Sequence, residues 1–90
     1  MRFEWNSAKA AKNLRKHRVS FEEAVSVFYD PLAETGADPD HSQDEARFVT
    51  FGMSSAGRLL VVSHTDRGEA IHIISARRAM QSERRFYEEG

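Results

Sequence analysis

Three neighbouring stretches, residues 47–53, 58–64 and 70–75, are rich in β-branched and apolar residues. "SSAG" and "DRGE" lie between them, each of hairpin length and each with one glycine. A chain that doubles back twice over such short connections must pair its strands antiparallel. These strands also carry apolar residues on both faces: Leu59, Leu60, Val61 and Val62 in one, Ile71, Ile73 and Ile74 in the next. A sheet with one wet side would alternate instead. Something must therefore cover the second face, and a terminal helix is more economical than a second copy or a partner protein.

The N-terminal part supplies the other layer. Met1, Phe3 and Trp5 alternate with Arg2 and Glu4 as in a short half-buried strand. Asn6 then reads as the N-cap of a helix, "SAKAAKNLRKH", with Ala8, Ala11 and Leu14 as its inner stripe. Lys9, Asn13 and Lys16 fall in line on another face. "SFEEAVSVFYDP" predicts a second helix, in which Ser20 and Glu23 form a capping box and Asp30-Pro31 the stop. Residues 32–35 are expected to form a short strand and "GADPDHSQDE" a loop. Ser75 is expected to cap a last helix, "ARRAMQSERRFYEE". The order is β-α-α-β-β-β-β-α, an α+β fold with a small antiparallel sheet, two N-terminal helices and a C-terminal one, in a single domain over residues 1–90.

Charge is segregated along this chain of net charge −1. Residues 1–20 carry +5, residues 21–45 carry −8 and the remainder +2. A local basic field attracts phosphate even on a protein of nearly neutral total charge. There are no cysteines, which excludes disulfides and thiolate metal sites. No apolar run approaches the length of a membrane span and no cleavable signal is evident, so a cytoplasmic protein with no membrane association is expected.

The candidate chemistry gathers around His64, where an apolar strand gives way to Ser63, His64, Thr65, Asp66 and Arg67. If Met53 pairs with Arg58, Arg47 lies across from His64 on the same face. An even-length second turn sets Ile71 opposite His64, and a three-residue turn sets His72 there. Arg67 follows in the turn, and Arg77 lies where the last helix is expected to begin. A histidine among arginines suits RNA cleavage by the substrate's own 2′-hydroxyl. Imidazole moves protons near neutrality, and guanidinium groups stabilise the charge gathering on phosphorus. His64 is thus the expected general acid or base, Arg47, Arg67 and Arg77 the expected phosphate ligands, and Lys9, Lys12, Asn13, Lys16, His17 and His72 the expected RNA-binding set. No cofactor or metal is needed for this chemistry.

Each of these residues has a plainer use. A strand-end histidine is often a hydrogen-bonded structural residue, edge arginines guard against aggregation, and His17 suits a helix C-terminus. Asp38, Asp40, His41, Asp44 and Glu45 could serve a metal, but they lack the spacing and glycine of an EF-hand loop, and no H-E-x-x-H pattern occurs. A metal-dependent hydrolase and a non-catalytic module that binds nucleic acid or a partner are the rival readings.

"FEWNSAKAAKNLRKHRVSFEEAVSVFYDP" resembles the opening of BrnT-type toxins, where W-[DN] leads to K-x-x-x-N-x-x-K-H and V-x-F-x-x-A-x-x-V-F-x-D. "GRLLVVSHTDR" followed by "IISARRAMQSERRFY" is similar to that family's later signature. The resemblance implies a RelE-like fold and an endoribonuclease toxin that cleaves mRNA and arrests growth. It also implies a BrnA-type ribbon-helix-helix antitoxin, with operator DNA bound only through that antitoxin. Arg18 stands where the family usually has glycine, and His72 where it commonly has arginine.

Overall fold

Residues 1–38 and 45–89 are described by the computed structural model. Their elements are β1 (Arg2–Glu4), α1 (Ser7–His17), α2 (Phe21–Val27), β2 (Glu34–Ala37), β3 (Arg47–Met53), β4 (Leu59–Arg67), β5 (Ala70–Arg78) and α3 (Gln81–Glu89). The expected order of eight elements is present. The strands form one sheet in the order β1-β5-β4-β3-β2. From β2 to β5 all neighbours are antiparallel, and β1 adds to the edge of β5 in parallel, Phe3 beside Ile71 and Glu4 beside His72. The two helices between β1 and the rest of the sheet make that parallel return possible.

Both N-terminal helices start as their caps dictate. Asn6 accepts from the Lys9 N–H at 3.0 Å, and Ser20 from the Glu23 N–H at 3.0 Å. The second half of the expected capping box is absent. Glu23 turns its carboxylate across to Arg58, whose Nε donates at 2.9 Å, and to the Ser54 hydroxyl. The Arg58 hydrogen bond holds Glu23 below the usual carboxylate pKa, against the effect of burial. α1 closes on Arg18, whose φ of 59° and ψ of 33° are left-handed and whose N–H reaches the Leu14 carbonyl. This is the position at which glycine is favoured.

The inner stripe of α1 differs from expectation. Leu14 is 48% exposed and Asn13 is buried. The amide of Asn13 donates to the Val19 carbonyl at 3.0 Å and to the Ala76 carbonyl at 2.8 Å, and it accepts from the Ala76 N–H at 3.2 Å. Asn13 thereby pairs with the edge of β5 as a strand would, continuing the pairing that β1 starts. Leucine cannot satisfy a main-chain edge, so the amide takes the inner position.

One face of the sheet is packed against α2 and α1. Val19, Phe21, Ala24, Val27, Leu60, Val62, Ile73 and Ala76 form its core, with Trp5 edge-on to Phe21. At Gly52 a Cβ would stand 2.8 Å from Val27 Cγ1, so β3 approaches α2 too closely for any side chain. The second face is crossed by α3, a helix with no buried residue. Phe51 meets Phe86 edge-on at 6.2 Å, and the Tyr87 hydroxyl donates to Asp30. That bond is the main reason the Tyr87 pKa is pushed up to about 12.

Three boundaries differ in ways that move candidate residues. The β3–β4 connection holds five residues, 54–58, closed by the Ser54 N–H to the Arg58 carbonyl at 2.8 Å, so Met53 pairs with Leu59 rather than Arg58. The β4–β5 turn is Gly68-Glu69, with a φ of 63° at Gly68. Its positive φ at the first turn residue alone is the type II′ pattern. β5 then continues to Arg78, past a bulge at which Ile74 is the extra residue, because Ser63 pairs with Ser75 while His64 pairs with Ile73. Ser75 is therefore a strand residue and not a helix cap.

Candidate nucleic-acid interface

Expected acid-base residue His64 lies on the packed face. It is 3% exposed, pairs with Phe48 on β3 and Ile73 on β5, and packs against the rings of Phe28 and Phe48. Its Nε2 and the Thr50 hydroxyl are 2.7 Å apart, and Thr50 contacts Thr35 at the same distance. Burial lowers the imidazole pKa, with Asp66 opposing weakly, so the ring is held neutral. It is a core wedge with no route to a phosphate. The cluster of three arginines around His64 is not formed, because a single added residue in the β3–β4 connection places Arg47 opposite Thr65 and on the other face.

The arginines do share a face with each other. Alternation along β4 sets Val61, Ser63, Thr65 and Arg67 on the second face, with Arg77 across from Val61 and Arg47 across from Thr65. Two groups result, Arg77 lying four positions along β4 from Arg47 and six from Arg67, about 13 and 20 Å. At one end, Arg77 lies on β5 and forks onto Glu83 of α3, with N···O distances of 2.9 and 2.8 Å. That fork holds Glu83 below its ordinary pKa, and Glu83 also accepts from the Met80 N–H that opens α3. The pair borders a cleft of about 380 Å³ between α3 and the sheet, floored by Val49, Phe51, Val61 and Ser63.

At the other end stand Arg47, Arg67 and His72. Arg67 donates from Nε to Glu45 at 3.1 Å and lies 3.9 Å from Glu4, and His72 Nδ1 is 3.1 Å from Glu4 Oε2. Glu45 is held below its ordinary pKa first by the Arg67 hydrogen bond and then by the charges of Arg67, His72 and Arg47. Thr65, directly across from His72, is buried with its hydroxyl unpartnered. His72, and not His64, is the histidine that the fold sets among arginines. The signal was its place on the strand beside β1, legible only once β1 is known to pair with β5.

A third basic feature adjoins this face. Since Asn13 turns toward β5, Lys9, Lys12 and Lys16, which are four before, one before and three after it, rim the contact. With His17, Ile74 and Ser75 they line an open pocket of about 300 Å³. Ser75 also borders the cleft at Arg77, so the lysine pocket runs over the edge of β5 onto the second face. Asn13 itself is fully used by main-chain groups. It belongs to the support of this pocket and not, as expected, to its binding set. Of the residues that the rival metal reading would use, Asp40, His41 and Asp44 lie outside the described residues, while Glu45 is bound to Arg67. Among the described residues no three His, Asp or Glu side chains are grouped to hold a metal ion.

A family model described as "Ribonuclease toxin, BrnT, of type II toxin-antitoxin system" matches residues 5–83. The chain belongs to the BrnT family. Its resemblance to BrnT toxins in the two sequence blocks thus extends over most of its length. The 1.1 Å crystal structure of the Brucella abortus ribonuclease toxin BrnT has the same fold, with a TM-score of 0.61 and 24% identity, covering 90% of this chain and 99% of that one. No curated protein matches the chain. BrnT proteins are ribonuclease toxins of type II toxin–antitoxin systems, which brings an antitoxin partner with the assignment. Among the described residues no helix is long and apolar enough to cross a membrane.

Proposed function

We propose that this BrnT-family protein is a metal-independent endoribonuclease that cleaves cytoplasmic mRNA, arrests growth and is neutralised by a BrnA-type ribbon-helix-helix antitoxin, which alone contacts operator DNA. The observation that carries the reading is the family match over residues 5–83. The basic edge and second face of the sheet are where the substrate fits. Lys9, Lys12, Lys16 and His17 hold successive phosphates, since ammonium groups position a backbone without reading sequence. Arg47 and Arg67 face the scissile phosphate and Arg77 a phosphate farther along the strand, Arg67 and Arg77 by exchanging their carboxylate partners for phosphate oxygens.

The 2′-hydroxyl beside the scissile phosphate is the nucleophile. Its oxygen bonds to phosphorus, the bond to the 5′-oxygen breaks, and a 2′,3′-cyclic phosphate and a 5′-hydroxyl result. Guanidinium groups stabilise the charge that accumulates on the non-bridging oxygens. Loss of one such contact removes on the order of 2–4 kcal/mol of transition-state stabilisation.

Purified protein incubated with end-labelled single-stranded RNA in EDTA tests this. Cleavage to cyclic-phosphate ends that survives the chelator, and that falls by about 100-fold or more in Arg67→Ala, is expected. Activity abolished by EDTA would transfer the protein to the metal-dependent class. The burial of His64 and the carboxylates on Arg67 and Arg77 favour, as a second reading, a module that binds RNA without cutting it. Intact RNA together with steeply salt-dependent binding would establish that reading instead.

A further inference from the structure

We propose that His72, oriented by Glu4, is the group that removes the 2′-hydroxyl proton in RNA cleavage, an assignment that rests on the endoribonuclease reading. Four observations converge on it. First, His72 shares the second face with Arg47 and Arg67, and all three act on the charge of Glu45. Second, Glu4 is fixed beside His72 by the parallel pairing of β1 with β5, and its Oε2 lies 3.1 Å from Nδ1. Third, His72 is half-buried with its Nδ1 so engaged, while the other described histidines are placed differently: His64 is sealed in the core, and His17 sits at the end of α1 beside the lysines. Fourth, the hydroxyl of Thr65, the cross-strand neighbour of His72, is buried and lacks a partner. Buried hydroxyls are seldom left so, and a water held beneath the ring would satisfy this one.

The chemistry follows from the tautomer. A carboxylate accepting from Nδ1–H leaves Nε2 with its lone pair, the form required of a base. Nε2 takes the 2′-hydroxyl proton as the 2′-oxygen bonds to phosphorus. The departing 5′-oxygen takes its proton from water, and the imidazolium then returns its own to solvent. Glu4 stabilises the imidazolium while it exists, so it is a positioning residue. The charged groups facing the ring are Glu4 on β1, Arg67 on β4, Arg47 on β3 and Glu45 before β3. Arg47 and Arg67 balance the two carboxylates until a phosphate enters.

His72→Arg separates proton transfer from charge, because it keeps a cation at the site and removes the base. With the wild type cutting RNA, His72→Arg is expected to bind it at least as tightly yet to lose 100-fold or more in kcat. His72→Ala is expected to lose as much and to recover in part with added imidazole. In Glu4→Gln the loss is smaller and the acid limb of the pH–rate profile moves. Thermal melts of each variant establish that it is folded. His72→Arg with wild-type kcat, or His72→Ala without any response to imidazole, would overturn the assignment while leaving the endoribonuclease reading in place. A folded wild type that leaves RNA intact would overturn both.

Discussion

The two faces of the sheet are closed by different physics. The α1–α2 face buries aromatic and aliphatic side chains against one another and satisfies the edge of β5 with Asn13. The α3 face has Leu59 and Val61 buried, but its helix contributes no buried residue and is fixed by polar contacts at Arg77–Glu83 and Asp30–Tyr87. Stability is concentrated on the first face. The second keeps Arg67 and Arg77 paired with carboxylates, Arg77 beside an open cleft, and the proposed RNA contact rests on these features. A histidine serves as packing on the first face and sits beside a carboxylate on the second, though His64 and His72 are eight residues apart in one hairpin.

That contrast can be broken most forcefully by truncating one aromatic on each side. Phe21→Ala on the packed face should cost about 3–5 kcal/mol. Phe86→Ala, 59% exposed on the other, should cost under about 1 kcal/mol. Urea denaturation measures both, and equal losses would abolish the distinction.

Acid provides a finer probe. Burial lowers the His64 pKa below its ordinary 6.5, so the unfolded chain binds the proton more readily than the folded one. The stability His64 contributes is complete above pH about 6.5 and is lost as pH falls toward the folded pKa. The urea midpoint should therefore drop between pH 7.5 and 5, and His64→Gln should flatten that drop. A slope unchanged in the variant would mean that His64 is not held neutral by the core.

The smallest effect concerns the closure of α1. Arg18 occupies the left-handed region at a cost of about 1 kcal/mol, which glycine avoids. Arg18→Gly should raise the unfolding free energy by somewhat less than this, because glycine also gains entropy when unfolded. Lowered stability would show that the Arg18 side chain supports the packed face.

Much of this architecture was legible because local signals agreed. Asn6 and Ser20 mark helix starts with their own side chains, and the bounds of α1 and β3 follow directly. The candidate site was less legible because it depends on register. One residue in the β3–β4 connection decides whether Arg47 faces His64 or Thr65, and no side chain near Ser54–Arg58 announces that count. Ser75 imitates a helix cap while lying in a strand, which moved Arg77 from helix to sheet. Asn13 reads as a surface amide in line with lysines, and only the exposed edge of β5 reveals why it turns inward. The arginines share a face, but in two groups rather than the single cluster around His64 that the sequence suggested, and the histidine beside Arg47 and Arg67 was hidden by the parallel pairing of β1, a contact between residues 68 apart in sequence.

The most direct test of the account is to map bound RNA by NMR, using an oligonucleotide with 2′-O-methyl groups so that it cannot be cut. Amide and side-chain shifts should move along Lys9, Lys12, Lys16 and His17, over Ile74 and Ser75, and onto His72, Arg47 and Arg67, while the His64 ring resonances stay fixed. Shifts centred on His64 and the packed-face residues around it, with the lysine pocket silent, would contradict it.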